Sequence, residues 1–332
     1  MTLQCNKIRI ERNCSLHYGR YIFKCVFDDN AVLPPYKGST LRGIFGHALK
    51  KVVCALKKQD CADCLLAQRC IYTSIFESTI HPNHNISVRR VVHPPHPYVI
   101  EPPDDAKTNY QKDDVLNFVI LLFGKANECL PYFIYAFDQM GQIGIGKRID
   151  GKRASFVLKQ VLVNEDLIYD QKDGKIRKQP ALDNIAIEPD SVLQCDQEMI
   201  IKLKLSTPLR IKYHNNLKAE LPFHILVRAM LRRISSLSES HDGVEPALDY
   251  RGMVSRAEKV TIEQSDLSWF DWRRYSNRQE QEMLMGGMIG SIEYRGKLSE
   301  YLPLINFCEK VHIGKQTTFG LGKVVLENVQ KI

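Results

Sequence analysis

Val115-Leu116-Asn117-Phe118-Val119-Ile120-Leu121-Leu122-Phe123 is an apolar run of strand length, and what surrounds it decides the fold. A helix is expected over 126–140, then the glycine-rich Gly141-Gln142-Ile143-Gly144-Ile145-Gly146-Lys147-Arg148, then a strand over 154–163. The same succession recurs near the C-terminus: strand 288–294, helix 298–308, Gly314-Lys315-Gln316-Thr317-Thr318-Phe319-Gly320-Leu321-Gly322-Lys323, and strand 323–329. Each copy follows its own strand, helix and strand, at 21–27, 40–56 and 88–92 in the first and at 199–205, 222–237 and 259–263 in the second. The chain therefore reads as α+β, with β-α-β-β-α-β written twice: tandem ferredoxin-like (RRM-like) domains over 1–165 and 198–332, joined by a Lys-, Asp- and Pro-rich linker at 166–197.

Length and composition suit two such domains. The 332 residues are 44% hydrophobic and 25% charged, and domains run to roughly 150 residues each. No apolar run approaches the roughly 18 residues that span a bilayer, so no membrane partner is expected. Met1-Thr2-Leu3-Gln4-Cys5-Asn6-Lys7 has neither the apolar segment nor the cleavage site of a secretory signal, and a cytoplasmic location is expected. Lys and Arg number 46 against 38 Asp and Glu, a net charge of +8 that permits a polyanionic partner.

Ten cysteines are unevenly placed. Cys54, Cys61, Cys64 and Cys70 fall close together, while Cys5, Cys14, Cys25, Cys129, Cys195 and Cys308 are scattered and read as core thiols. In a reducing compartment the close group suits metal ligation by four thiolates in an inserted segment too short for its own core. A structural zinc fits such a set; so does an iron–sulfur cluster, and free thiols are the plain alternative.

The helix Gly38-Ser39-Thr40-Leu41-Arg42-Gly43-Ile44-Phe45-Gly46-His47-Ala48-Leu49-Lys50-Lys51 carries the candidate chemistry. Ser39 is its expected N-cap, and Leu41, Ile44, Phe45, Ala48 and Val52 form the stripe that faces a sheet. Gly43, Gly46, His47 and Lys50 fall opposite. Glycine costs a helix interior roughly 1 kcal/mol, so two on an open face suggest the approach of another backbone, such as RNA. Metal-free RNA cleavage needs a proton removed from a 2′-hydroxyl, a proton given to a 5′-oxygen, and cations for the crowded phosphorus. His47 is the candidate base or acid, with Lys50, Lys51 and Arg42 as candidate cations and Tyr36 as a candidate orienting or donating group. The plain alternative is a solvated surface histidine beside two solvated lysines. His81, His84, His93 and His96 read as loop residues.

Gly141–Lys147 matches a phosphate-loop spacing, but Arg148 replaces the required Ser or Thr and a strand follows, which excludes a nucleotide-hydrolysing loop. Both glycine-rich stretches read either as tight turns or as backbone nests that offer N–H groups to phosphate. Arg42, Gly43 and Gly46 of the helix are candidate RNA contacts, and on that second reading so are Lys147, Arg148, Gly314, Lys315, Thr317, Thr318, Phe319, Gly320, Gly322 and Lys323. Trp272, Arg274, Tyr275 and Arg278, interleaved with Trp269 and Arg273, suit base stacking and phosphate contacts, or else a core Trp beside a solvated basic stretch. Helix 222–237 puts Phe223, Leu226, Val227, Met230, Ile234 and Leu237 inward and Arg228 and Arg232 outward.

Several of these stretches resemble the CRISPR repeat-RNA-processing endoribonucleases, the Cas6 family of the RAMP superfamily. They are Gly38 to His47, the cysteine segment with Cys70-Ile71-Tyr72, and Pro95-His96-Pro97-Tyr98-Val99-Ile100-Glu101-Pro102-Pro103. In the second half they are Asp271 to Gln279, Met283-Leu284-Met285-Gly286-Gly287, and His312 to Gly322. The resemblance implies two ferredoxin-like domains that bind a CRISPR repeat and cut it once without a catalytic metal, leaving a 2′,3′-cyclic phosphate. It places the catalytic histidine at His47. The implied partners are repeat RNA or mature crRNA and subunits of a CRISPR effector complex. A non-catalytic crRNA-binding subunit of an interference complex is the alternative within that superfamily. A zinc-containing regulator is disfavoured, since neither a helix-turn-helix nor a repeated finger spacing appears.

Overall fold

A computed structural model describes residues 15–57, 59–77, 94–178, 180–187, 197–211, 219–276 and 281–332, with the side chains of 272–285 left aside. In the first half the elements are β1 (Ser15–Phe27), β2 (Ala31–Val32), α1 (Gly38–Val53), β3 (Tyr98–Glu101), β4 (Asn109–Tyr110) and β5 (Val115–Phe123), then α2 (Leu130–Ile143), β6 (Ile145–Ile149), β7 (Lys152–Ala154) and β8 (Phe156–Val163). Three short strands follow, β9 (Asp166–Asp170), β10 (Lys175–Ile176) and β11 (Asp183–Ala186). The second half comprises β12 (Met199–Leu209), α3 (Phe223–His241), α4 (Tyr250–Ala257), β13 (Thr261–Ser265), β14 (Ser268–Ser276), β15 (Gln281–Gly296), α5 (Leu302–Val311) and β16 (Val324–Lys331).

The two sheets share one plan. In the first, β8-β1-β5-β3 are neighbours, and in the second, β16-β12-β15-β13. All these pairs are antiparallel. In each unit the strand order is fourth, first, third, second, with one helix after the first strand and another after the third.

The expected strand at 88–92 lies outside the described residues; β3 holds the second place in the first sheet. The stretch expected as a linker is built into the fold: β9 and β10 extend the first sheet beyond β8, and β11 pairs with β1. Helix α4 and strand β14, which pairs with β15 through Trp272↔Met285 and Arg274↔Met283, were not among the expected elements.

The apolar run in β5 has a packing reason. Successive strand residues face opposite sides, and here both sides are covered. Ile120 and Leu122 join Phe45, Phe133 and Phe137 under α1 and α2, whereas Leu121 and Phe123 join a core that continues through Leu226, Met230 and Leu304 of the second half. Val99 and Ile100 of β3 divide in the same way. A strand buried on both faces shows no alternation of apolar and polar residues. The first sheet is thus shared between the two cores. No helix among the described residues is long and apolar enough to cross a membrane.

Candidate active site

Helix α1 turns Leu41, Ile44, Phe45, Ala48 and Leu49 inward and leaves His47 and Lys51 exposed. His47, Lys50 and Lys51 stand three and four residues apart and so share a face. Lys50 is half-buried, its Nζ 5.6 Å from the centre of the Tyr72 ring. Gly43, one turn before His47, has open space where a Cβ would stand. Gly46 does not share that openness. It is buried, and a Cβ there would lie 2.2 Å from the Phe76 ring, so what approaches this glycine is the chain's own aromatic side chain. The helix also starts earlier than Ser39. Lys37 is the N-cap residue, without a side-chain cap, and its fully buried ammonium bonds the carbonyls of Pro35 and Asp105 and the Asp105 carboxylate.

The start of α1 is fastened to the second glycine-rich loop. The Tyr36 hydroxyl donates to the Phe319 carbonyl at 2.5 Å. Burial first, then the Glu101 charge, pushes that phenol well above its ordinary range. A Cβ on Gly38 would stand 2.0 Å from the same carbonyl oxygen, so the approach of loop to helix requires glycine. The Arg42 guanidinium lies 4.0 Å from the centre of the Phe76 ring and 5.2 Å from that of Phe319. Within the loop, Gly314 and Lys315 are exposed while Thr317, Thr318, Phe319, Gly320 and Gly322 are turned inward. Gly322, at φ +76°, brings its α-carbon so near the Ile313 carbonyl that no side chain fits.

Apart from Lys323, expected to face RNA, sequence reasoning missed the groups that hold this loop from the other side. His312, the C-cap residue of α5, is fully buried. Its Nε2 is 2.9 Å from Glu101 Oε1 on β3, and its Nδ1 is 3.0 Å from the Leu321 carbonyl. Lys323 Nζ lies 3.0 Å from the same Glu101 oxygen, and Arg20 of β1 stands 4.0 Å from the other. Burial alone would raise the Glu101 carboxyl; the hydrogen bonds and charges of His312 and Lys323 outweigh it and hold the group at about 2. Arg233 of α3, buried, donates to the carbonyls of Val311 and His312, and burial pushes it down to about 10. Tyr36, Glu101, His312 and Lys323 line a cleft of about 210 Å³ with Phe270 and Pro208. The available signal was a lone acid, Glu101, ending an apolar strand before two prolines.

Two further histidines serve as internal struts. His96 Nδ1 lies 3.3 Å from the Ile75 carbonyl, and His241 Nε2 is 2.9 Å from that of Pro95. Burial, abetted for His96 by the Arg42 charge, pushes both down to about 4. His81, His84, His93 and Arg278 lie outside the described residues. Lys147 and Arg148 are exposed on β6, whose hairpin with β7 adds the exposed Lys152 and Arg153 and packs beside α1. Trp272, Arg274 and Tyr275 lie on β14, opposite Met285, Met283 and Glu282 of β15.

Three of the four clustered cysteines end helical turns with closely matching extended backbones: Cys54 at φ −80°, ψ 114°, Cys64 at −78°, 125° and Cys70 at −81°, 125°. All four are half-buried free thiols, and Cys61 and Cys70 pack against the first core. They are not drawn together: among the described residues no three or more His, Cys, Asp or Glu side chains are gathered as a metal site.

Comparison with known proteins places this geometry. A family described only as an N-terminal domain matches residues 16–181. An uncharacterized protein of Archaeoglobus fulgidus is 24% identical over 298 residues, covering 87% of this chain and 91% of that protein. Among solved structures, a Cas6 product complex superposes with a TM-score of 0.51 at 13% identity, covering 93% of this chain and 99% of the other. The Cas6 of Thermus thermophilus superposes at 0.50 and 11%, covering 94% and 98%. A partial Cas6-RT-Cas1–Cas2 complex reaches 0.55 at 14%, covering 94% of this chain and 46% of that one. The family described as CRISPR-associated endoribonuclease Cas6 matches residues 203–324, the stretch that holds the glycine-rich loop and His312. Residues 203–324 thus match the Cas6 family of CRISPR-associated proteins, and the chain as a whole shares the paired-sheet fold of the solved Cas6 structures.

Proposed function

We propose that this chain, built from two ferredoxin-like units, cuts CRISPR precursor RNA within its repeats, with His47 as the acid–base group. The observation that carries the reading is the open face of α1, where an exposed imidazole stands between the uncovered Gly43 and the exposed Lys51. RNA laid there reacts by attack of a ribose 2′-oxygen on the adjacent phosphorus. The 2′-O–P bond forms, the bond to the 5′-oxygen breaks, and the products carry a 2′,3′-cyclic phosphate and a 5′-hydroxyl. His47 takes the 2′-hydroxyl proton or supplies one to the leaving 5′-oxygen. Lys50 and Lys51 offset the negative charge that grows on the phosphorus oxygens, and no step calls for a metal. The exposed cations of the β6–β7 hairpin, with Lys315, give the strand's phosphates further contacts.

The test incubates the pure protein with repeat RNA and a chelator, beside RNA carrying hydrogen in place of the 2′-hydroxyl at the cut. Only the unmodified RNA is expected to be cleaved, and His47→Ala lowers the rate by about 10²–10⁴. A fully active His47→Ala would remove the histidine from the chemistry. A second reading, a crRNA-binding subunit without cleavage, is favoured by the engagement of Tyr36 with Phe319 and of Lys50 with Tyr72. Tight binding without a cut would establish it. A structural zinc on Cys54, Cys61, Cys64 and Cys70 completes the proposal. It rests on their spacing and their matched turn-ending backbones, and it requires the 54–70 segment to tighten around the ion. Elemental analysis should find about one zinc per chain, lost in Cys61→Ser; a metal-free, fully stable protein would reject it.

A further inference from the structure

We propose that Glu101 and His312 form a hydrogen-bonded latch that seats the second glycine-rich loop on the first half of the molecule, so that RNA meets the loop and α1 in a fixed register. Both are positioning residues, and the RNA part of the inference rests on the reading above. Three observations carry it.

The first is hydrogen-bond bookkeeping at the imidazole. Its two nitrogens face a carboxylate oxygen and a backbone carbonyl, both acceptors, at 2.9 and 3.0 Å. The ring therefore bridges the β3 carboxylate and the loop's own backbone, one nitrogen to each. The second is the backbone. His312 sits at φ 56°, ψ 153°, a region that essentially only glycine adopts. A side chain is kept there at a conformational cost, and what it contributes is the pair of bonds just described, with Arg233 closing on its carbonyl from α3. The third is reach. Glu101 and His312 are 211 residues apart in sequence, on β3 and at the end of α5, and Tyr36 fastens the opposite end of the same loop. Glu101 and the ring are faced by Lys323 from the loop's end and Arg20 from β1, while Tyr18 and Tyr36 feel the carboxylate charge.

The experiment uses the full chain in three forms: wild type, Glu101→Gln and His312→Gly. In both variants amide exchange over 313–323 should accelerate by about tenfold or more, with residues 41–53 of α1 unchanged. With repeat RNA, the KM should rise by about tenfold while the rate at saturating RNA moves less than about threefold. His312→Gly is the sharper variant, because glycine relieves the backbone. If the ring only tolerated its place, the loop would become better protected, and that result overturns the latch. Unchanged exchange over 313–323 in both variants overturns it as well. Should the wild type neither bind nor cut RNA, the RNA reading fails while amide exchange still decides the latch.

Discussion

Alanine at three glycines of one helix should change stability in opposite directions. In a helix interior alanine is worth up to about 1 kcal/mol over glycine. At Gly43 nothing stands within 4 Å of the added carbon, so Gly43→Ala should gain about 0.5–1 kcal/mol. At Gly38 the carbon would meet the Phe319 carbonyl at 2.0 Å, about 1.4 Å inside ordinary contact. The loop must retreat, at about 1–3 kcal/mol for the overpacking, and the Tyr36 bond to that carbonyl goes with it, at about 1 kcal/mol. The helical gain is small at the first residue of α1, so Gly38→Ala should lose about 2–3 kcal/mol. Gly46→Ala falls between, losing about 1–2 kcal/mol, because the Phe76 ring it strikes stacks on Tyr72 at 5.2 Å and cannot swing away freely. Urea unfolding followed on the three variants, with midpoints compared at constant slope, reads the order directly. A Gly38→Ala protein as stable as Gly43→Ala would mean that the loop does not rest on α1. The same samples probe function. Gly43→Ala, though more stable, should bind repeat RNA more weakly if the strand's backbone approaches at that position.

Tyr36→Phe leaves the Phe319 carbonyl without its donor and should cost about 1 kcal/mol; an unchanged urea midpoint would show that the hydroxyl does not hold the loop. Acid should weaken the fold in two stages. His96 and His241 stay neutral in the native state down to about 4 but take up protons near 6.5 when unfolded, so stability falls as the pH drops through that interval, and His241→Gln should flatten it. Glu101 remains ionised in the native state down to about 2 against 4.5 unfolded, so its contribution is complete above 4.5 and is lost on the way to 2. Glu101→Gln should remove only this second stage, as followed by urea midpoints at stepped pH.

Much of the architecture could be read from the chain alone, for a physical reason. Strands β5, β8, β12 and β15 and helices α1, α2, α3 and α5 are long and apolar enough that periodicity locates them. Strand β3 is four buried residues between prolines, with no alternation to detect. Helix α4 is eight residues long and its burial rests on Met253 and Ala257. The exposed His47 follows from its place on the wheel, whereas the burial of Gly46 does not, since Phe76 covers it from thirty residues further along. The Glu101–His312 contact joins residues 211 positions apart, and no local pattern encodes such a pairing. The inward turn of Thr317, Thr318 and Phe319 is likewise tertiary: hydroxyls that suit a phosphate by type are covered by the first half.

The wall of β5 formed by Leu121 and Phe123 is completed by side chains of α3, which begins at Phe223. During synthesis, at roughly 5–20 residues per second, that greasy strip waits on the order of 5–20 s for its cover to leave the ribosome. A nascent first half is therefore a natural client for a holdase chaperone, and a transcript truncated before α3 should yield an aggregate rather than a working fragment.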